Sequence, residues 1–230
     1  VSGSLRAESL ALLRDGRVIV EGLSFAAEQG ERIAVLGPNG SGKTTLARAC
    51  LGFAEYRGRL DVDGRDVRSD PRAARRAVAA VFSDADPQLL MPTVHDELAF
   101  SLDAAGRPAD PDAVRRLADE FGLGPLLRRH PSRLSSGEKR RTLLALSIGR
   151  RPSILILDAP PADLDARGTR ALRQALARLP QTILLISHDY DLASSLCRRA
   201  IVLAGSRAAA IDDLPGLLSD PALLERWQLA

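Results

Sequence analysis

The stretch Gly37-Pro38-Asn39-Gly40-Ser41-Gly42-Lys43-Thr44-Thr45 holds the residues whose chemistry is most legible. Glycines at 37, 40 and 42 let a backbone curl so that successive N–H groups point inward, and a lysine followed by a hydroxyl closes the stretch. This fits the spacing G-x-x-x-x-G-K-[ST], in which loop amides cradle phosphate oxygens, the lysine reaches the β- and γ-phosphates and the hydroxyl holds Mg2+. The context agrees, because an apolar β-type run, Arg32 to Leu36, precedes the loop and a helix-like run, Thr45 to Leu51, follows it. A helix opening near Lys43 adds its positive N-terminal end to the cradle. Gly37, Asn39, Gly40, Ser41, Gly42, Lys43, Thr44 and Thr45 are therefore the candidate nucleotide-binding residues. Asp158, closing the buried apolar run Ile154 to Leu157, adds a carboxylate placed to share Mg2+ with Thr44. Taken alone, it could equally be an ordinary loop aspartate.

The elements that must position these groups follow from periodicity. Residues 5–36 read as β-rich, with runs at Leu10 to Leu13, Val18 to Val20, Leu23 to Ala27 and Arg32 to Leu36, broken by turns at Asp15-Gly16 and Gln29-Gly30. Together with the alternating stretch Arg59 to Gly64, they predict an antiparallel layer. A helix over 72–79 leads into a short strand from Val78 to Phe82. From about residue 90 to 150 the pattern turns helical, with runs at Val94 to Phe100, Asp112 to Phe121 and Ser136 to Arg150. Buried strands at Ile154 to Leu157 and Ile183 to Ile186 alternate with a helix over 167–179, which argues for a mainly parallel sheet covered on both faces. Residues 201–211 finish as β, and Pro221 to Leu229 reads as a short amphipathic helix.

Composition bounds the class. A chain of 230 residues, 45% hydrophobic and 27% charged, can bury a full core as a single domain, 1–230. No apolar run approaches the ~18 residues that a membrane-spanning helix needs, so a cytoplasmic location is expected unless a partner holds the chain at a membrane. The net charge of +3 comes from 32 basic and 29 acidic residues, and Lys43 and Lys139 are the only lysines. The arginines interleave with acids and aromatics make up only 3%, which argues against a nucleic-acid partner. Cys50 and Cys197 have neither metal-site spacing nor the density of a disulfide scaffold.

Further motifs carry a family resemblance. Leu134-Ser135-Ser136-Gly137-Glu138-Lys139-Arg140-Arg141 resembles the signature motif of ABC-type ATPases, Ala162-Asp163-Leu164-Asp165 is similar to their D-loop, and Ser187-His188-Asp189 is similar to their H-loop. The likeness covers nearly the whole chain in order. It implies an α/β fold of the P-loop NTPase class, ABC type: a mainly parallel sheet core, an antiparallel β layer and a helical signature subdomain at about 90–150. It implies ATP and Mg2+ as ligands, with Thr44 and Asp158 on the metal. It also implies a head-to-tail dimer in which Ser135, Ser136, Gly137 and Glu138 face the γ-phosphate held by a second ABC ATPase subunit. A helix opening on Ser and Gly is chemically suited to an anion. His188 is the expected catalytic contact to the γ-phosphate of its own site, although taken alone it could be a helix cap.

A narrower likeness lies in Val81 to Val94, which resembles the segment of energy-coupling-factor ATPases, importers of cobalt and vitamins, where a Q-loop runs into a second Gln and then Pro-Thr-Val. It implies that Gln88 to Val94 helps receive an integral membrane subunit, which would hold the chain on the inner face of the cell membrane. Leu218 to Glu225, within a C-terminal extension of about 212–230, is similar to that subfamily's tail.

Departures from the family pattern cluster around hydrolysis. Ala159 stands where a Glu usually polarises water, Ser83 where the Q-loop Gln would reach Mg2+, Leu13 where an aromatic stacks on adenine, Ser136 for a Gly and Pro161 for a Thr. Binding groups survive while water-activating groups do not. Two functions fit this asymmetry: the hydrolysis-impaired half of a heterodimeric ATPase pair in an importer, or a non-hydrolysing nucleotide-binding module used for regulation or assembly.

Overall fold

Apolar runs without alternation become the centre of the sheet. In the computed structural model, which describes residues 3–158, 173–174 and 176–229, strands β3 (Arg32–Leu36), β7 (Ile154–Asp158) and β8 (Thr182–Ile186) lie parallel in the order β3-β8-β7. Every residue of β7 and β8 is buried, as strands covered on both faces must be. The remaining strands are β1 (Leu5–Arg14), β2 (Arg17–Ala27), β4 (Tyr56–Val62), β5 (Arg65–Asp66), β6 (Val78–Val81), β9 (Arg199–Ala204) and β10 (Ser206–Ile211). Among the described residues one ten-stranded sheet contains them all, in the order β5-β4-β1-β2-β10-β9-β3-β8-β7-β6. The antiparallel strands are therefore continuous with the parallel ones, joined where β2 pairs in parallel with β10.

The short β runs read near the N terminus merge into the two long strands β1 and β2, which pair through several bulges and fold back at Asp15-Gly16. The stretch 201–211 divides at Gly205 into β9 and β10, an antiparallel pair. Residues 221–229 are helical only over Pro221–Arg226, preceded by a second short helix, Leu214–Ser219. Tyr190 donates its hydroxyl to the Leu229 carbonyl at 2.8 Å, and the Arg207 guanidinium lies 5.9 Å over the Trp227 ring, which ties this end to the body. A helix over Tyr190–Leu196, capped by Asp189, is an addition to the expected elements.

The chain divides into two compact units, Val1–Ala80 with Ser153–Ala230, and Val81–Pro152. The first carries the sheet with helices α1 (Lys43–Cys50) and α2 (Pro71–Ala77). The second is helical: α3 (Val94–Ala104), α4 (Pro111–Glu120) and α5 (Ser136–Gly149) bury Val94, Leu98, Leu102, Val114, Ala118 and Ala145 against one another. Each of these helices opens on a side-chain cap, Thr93, Asp110 and Ser135, which accepts from a backbone N–H of the first turn.

Candidate nucleotide site

The loop between β3 and α1 has the shape that its glycines demand. Gly37 sits at φ 146°, and a Cβ there would fall 2.1 Å from the Leu203 carbonyl oxygen on β9. Gly42 sits at φ 105°, where a Cβ would lie 2.9 Å from Val20 Cγ2. Neither position accepts a side chain, so the loop is both curled and pressed against the sheet. Gly42 then opens α1 without any side-chain cap, which leaves the first-turn amides to whatever anion enters the loop. Ser41 Oγ is buried with no partner among the described residues, which is the state expected of a cradle group waiting for a ligand oxygen.

Lys43 is buried, and its Nζ donates to the carbonyls of Gly37 at 2.7 Å and Pro38 at 2.9 Å. These bonds fold the side chain back over the loop. Burial lowers the Lys43 pKa, and the Asp158 carboxylate opposes that shift. Thr44 donates its hydroxyl to Asp158 Oδ2 at 2.7 Å, which brings together the two predicted metal residues across 114 positions of sequence. Asp158 is only 5% exposed, at the end of β7. A hydroxyl and a carboxylate are the hard oxygen donors that Mg2+ takes, with phosphate and water filling its other positions. The described residues contain no cluster of three or more His, Cys, Asp or Glu that could hold a metal by themselves.

His188 follows β8, so the loop, Asp158 and His188 all lie at the carboxyl ends of neighbouring parallel strands, where open α/β sheets bind ligands. Its pKa is lowered, first by loss of solvation and then by the charge of Lys43, with Asp158 opposing. The shift favours the neutral imidazole, which can donate one N–H to a phosphate oxygen. Asn39 and Gly40 are exposed at the loop tip. Thr45 is buried and accepts a hydrogen bond from Arg14 Nη2 at 3.1 Å. Sequence reasoning missed Arg14, because only the hairpin register brings it to α1.

The signature residues stand together at the start of α5, in the second unit. Ser135 and Glu138 form a capping box: Ser135 N donates to Glu138 Oε2 at 2.8 Å, the Ser135 hydroxyl donates to the same oxygen at 3.0 Å, and Glu138 N donates to Ser135 Oγ at 3.3 Å. Those bonds hold the Glu138 carboxyl below its usual value, the Ser135 backbone N–H most strongly. Ser136 is exposed, and a Cβ at Gly137 would meet open space.

Ser83 is exposed in the loop after β6. Gln88 binds back onto that same loop: its Oε1 accepts from Phe82 N at 3.1 Å, and its Nε2 donates to the Phe82 carbonyl at 3.2 Å and to the Asp84 carbonyl. Within the stretch from Gln88 to Val94, Leu90 is 75% exposed. Ala159, Pro161 and the D-loop-like Ala162 to Asp165 lie outside the described residues.

A curled glycine loop between strand and helix, a lysine folded over it and a hydroxyl–carboxylate pair beside it define a phosphate-loop nucleotide-binding fold. The comparisons narrow the class. Residues 20–162 match the model of the ABC transporter family. An ABC transporter ATP-binding protein of Gloeobacter violaceus is 38% identical over 217 residues, covering 92% of this chain and 89% of that protein. The nickel import ATP-binding protein NikO of Rhodobacter capsulatus is 38% identical over 226 residues, covering 91% and 89%. Among solved structures, cbiO1 of Clostridium perfringens, part of the ABC transporter complex cbiONQ, superposes with a TM-score of 0.78 at 27% identity over 98% of this chain and 94% of that one. The chain belongs to the ABC transporter family and is an ATP-binding subunit of that family. No helix among the described residues is long and apolar enough to cross a membrane.

Proposed function

We propose that this subunit serves an importer of the energy-coupling-factor type, taking up a metal ion or a vitamin, as the hydrolysis-impaired half of a heterodimeric ATPase pair. The observation that carries the reading is the contrast at the end of β7. Asp158 is buried and bonded to Thr44 at 2.7 Å, ready to hold Mg2+, while the next residue is Ala159, whose methyl group cannot accept a proton from water. Loss of a positioned general base costs about 10²- to 10⁴-fold in rate. Ser83, exposed and short, does not replace the missing amide.

In this arrangement Lys43, the loop amides and Thr44 hold ATP, and Thr44 and Asp158 would hold Mg2+, which would neutralise phosphate charge. Ser135, Ser136, Gly137 and Glu138 complete the site of a partner ATPase that retains its own Glu. Hydrolysis there opens and closes the pair. The stretch Gln88 to Val94, with Leu90 exposed, meets an integral membrane subunit, which places the chain on the inner face of the cell membrane. The nickel-import relative and the likeness to cbiO1 support the importer type.

The test is restoration. The complex is purified in mild detergent with its membrane subunit and second ATPase, and the ATPase rates of wild type and the double variant Ala159→Glu, Ser83→Gln are compared. A gain in ATPase rate is expected. No gain, with ATP bound by the variant, would leave this chain a non-hydrolysing regulatory module.

A further inference from the structure

The β1–β2 hairpin closes through Asp15 and Gly16, both in the left-handed region at φ 51° and 73°, and this sets Arg14 directly across from Arg17. Opposed residues of an antiparallel pair share one face of the ribbon, and like charges in that position destabilise it. Arg14 is solvent-exposed, and among the described residues no carboxylate pairs with it. Its Nη2 instead donates to Thr45 Oγ1 at 3.1 Å, a buried hydroxyl on the first turn of α1. Two cations thus share one face at the edge of a loop built for phosphate, and one of them already reaches the helix turn that receives it.

Lys43 and Thr44 serve the β- and γ-phosphates and the metal. Thr45, one residue further into α1, carries the buried hydroxyl that Arg14 meets. We propose that Arg14, assisted by Arg17, is a cationic arm of the nucleotide site that binds the α-phosphate beside Thr45. It supplies by charge the anchoring that Leu13, lacking an aromatic ring, does not supply by stacking. A guanidinium offers five N–H donors in a fixed fork, so Arg14 can hold Thr45 and a phosphate oxygen together. This inference rests on the ATP-binding reading and adds a residue to that site.

The test is calorimetric titration of the full chain with ATP and with GTP, for wild type, Arg14→Gln, Arg14→Lys and Arg17→Ala. Gln keeps a donor for Thr45 and removes the charge. Arg14→Gln is expected to weaken both nucleotides about tenfold. Arg14→Lys should recover most of that loss, and Arg17→Ala should cost about twofold, as a more distant exposed charge does. The affinity of wild type should also fall more steeply with added salt than that of Arg14→Gln. Arg14→Gln binding both nucleotides like wild type would reduce Arg14 to a strap between hairpin and helix and overturn the proposal. A loss for ATP that GTP does not share would overturn it too, because the contact would then be with the base. Wild type binding neither nucleotide would overturn the ATP-binding reading as well.

Discussion

Helix α1 begins at Gly42 with no side chain capping its amides, whereas α5 begins at Ser135 with its first turn already bonded inside a capping box. Both starts were expected to meet phosphate. The first is left open by residues that cannot carry a side chain, so a phosphate is the cap that the helix lacks. The second already holds an anion of its own, the Glu138 carboxylate, on the Ser135 amide and hydroxyl. A phosphate arriving there meets like charge and must share or displace those bonds. Motif residues therefore identify where an anion can sit, and the hydrogen bonds decide whether the donors are still available.

Removing the charge from the open site sharpens this contrast most. Lys43→Ala is expected to weaken ATP binding on the order of a hundredfold, since charge-assisted bonds to phosphate are lost at a buried position. Calorimetry would break the comparison if the variant bound within a fewfold of wild type, because the amide cradle alone would then suffice. At the closed site the expected effect is on stability. Ser135→Ala should cost about 1 kcal/mol, read as a fall in Tm of about 2–4 °C, with the ATP affinity of the isolated chain unchanged. An unaltered Tm would mean that the box does not hold α5.

Acid gives the smallest effect and separates the two regions by pH. The unfolded chain protonates histidine near 6.5 while the folded site resists protonation of His188, so stability falls as pH drops through about 6.5. His188→Gln should remove that component from the urea-unfolding profile. The Glu138 carboxyl is depressed, so its contribution is complete above about 4.3 and is lost as pH falls through the folded value. Glu138→Gln should flatten only this lower step, and a change in the upper one would show that the assignment is reversed.

Much of the first site was legible because its chemistry is local. Gly37 to Gly42 form one loop after a buried strand and Lys43 to Thr45 open the helix that follows it, and Asp158 ends an apolar run whose lack of alternation marks a central strand. Arg14 was hidden because its bond to Thr45 depends on hairpin register and bulges, which side-chain types do not announce. What the sequence does not announce about Gln88 is that its amide clamps the backbone of its own loop. The capping box was visible in the spacing Ser135-x-x-Glu138, but the resemblance drew those residues toward phosphate rather than toward each other. The short helix Tyr190–Leu196 escaped because seven residues give too little periodicity to register.

Gly37 constrains the mutational path of this chain. Every missense change there adds at least a Cβ, which would stand 2.1 Å from a backbone carbonyl of β9. Selection for a foldable sheet alone therefore rejects every such neighbour, whether or not ATP is ever cleaved. The phosphate loop is protected from drift by the packing behind it, and a lineage that gives up hydrolysis still inherits the cradle.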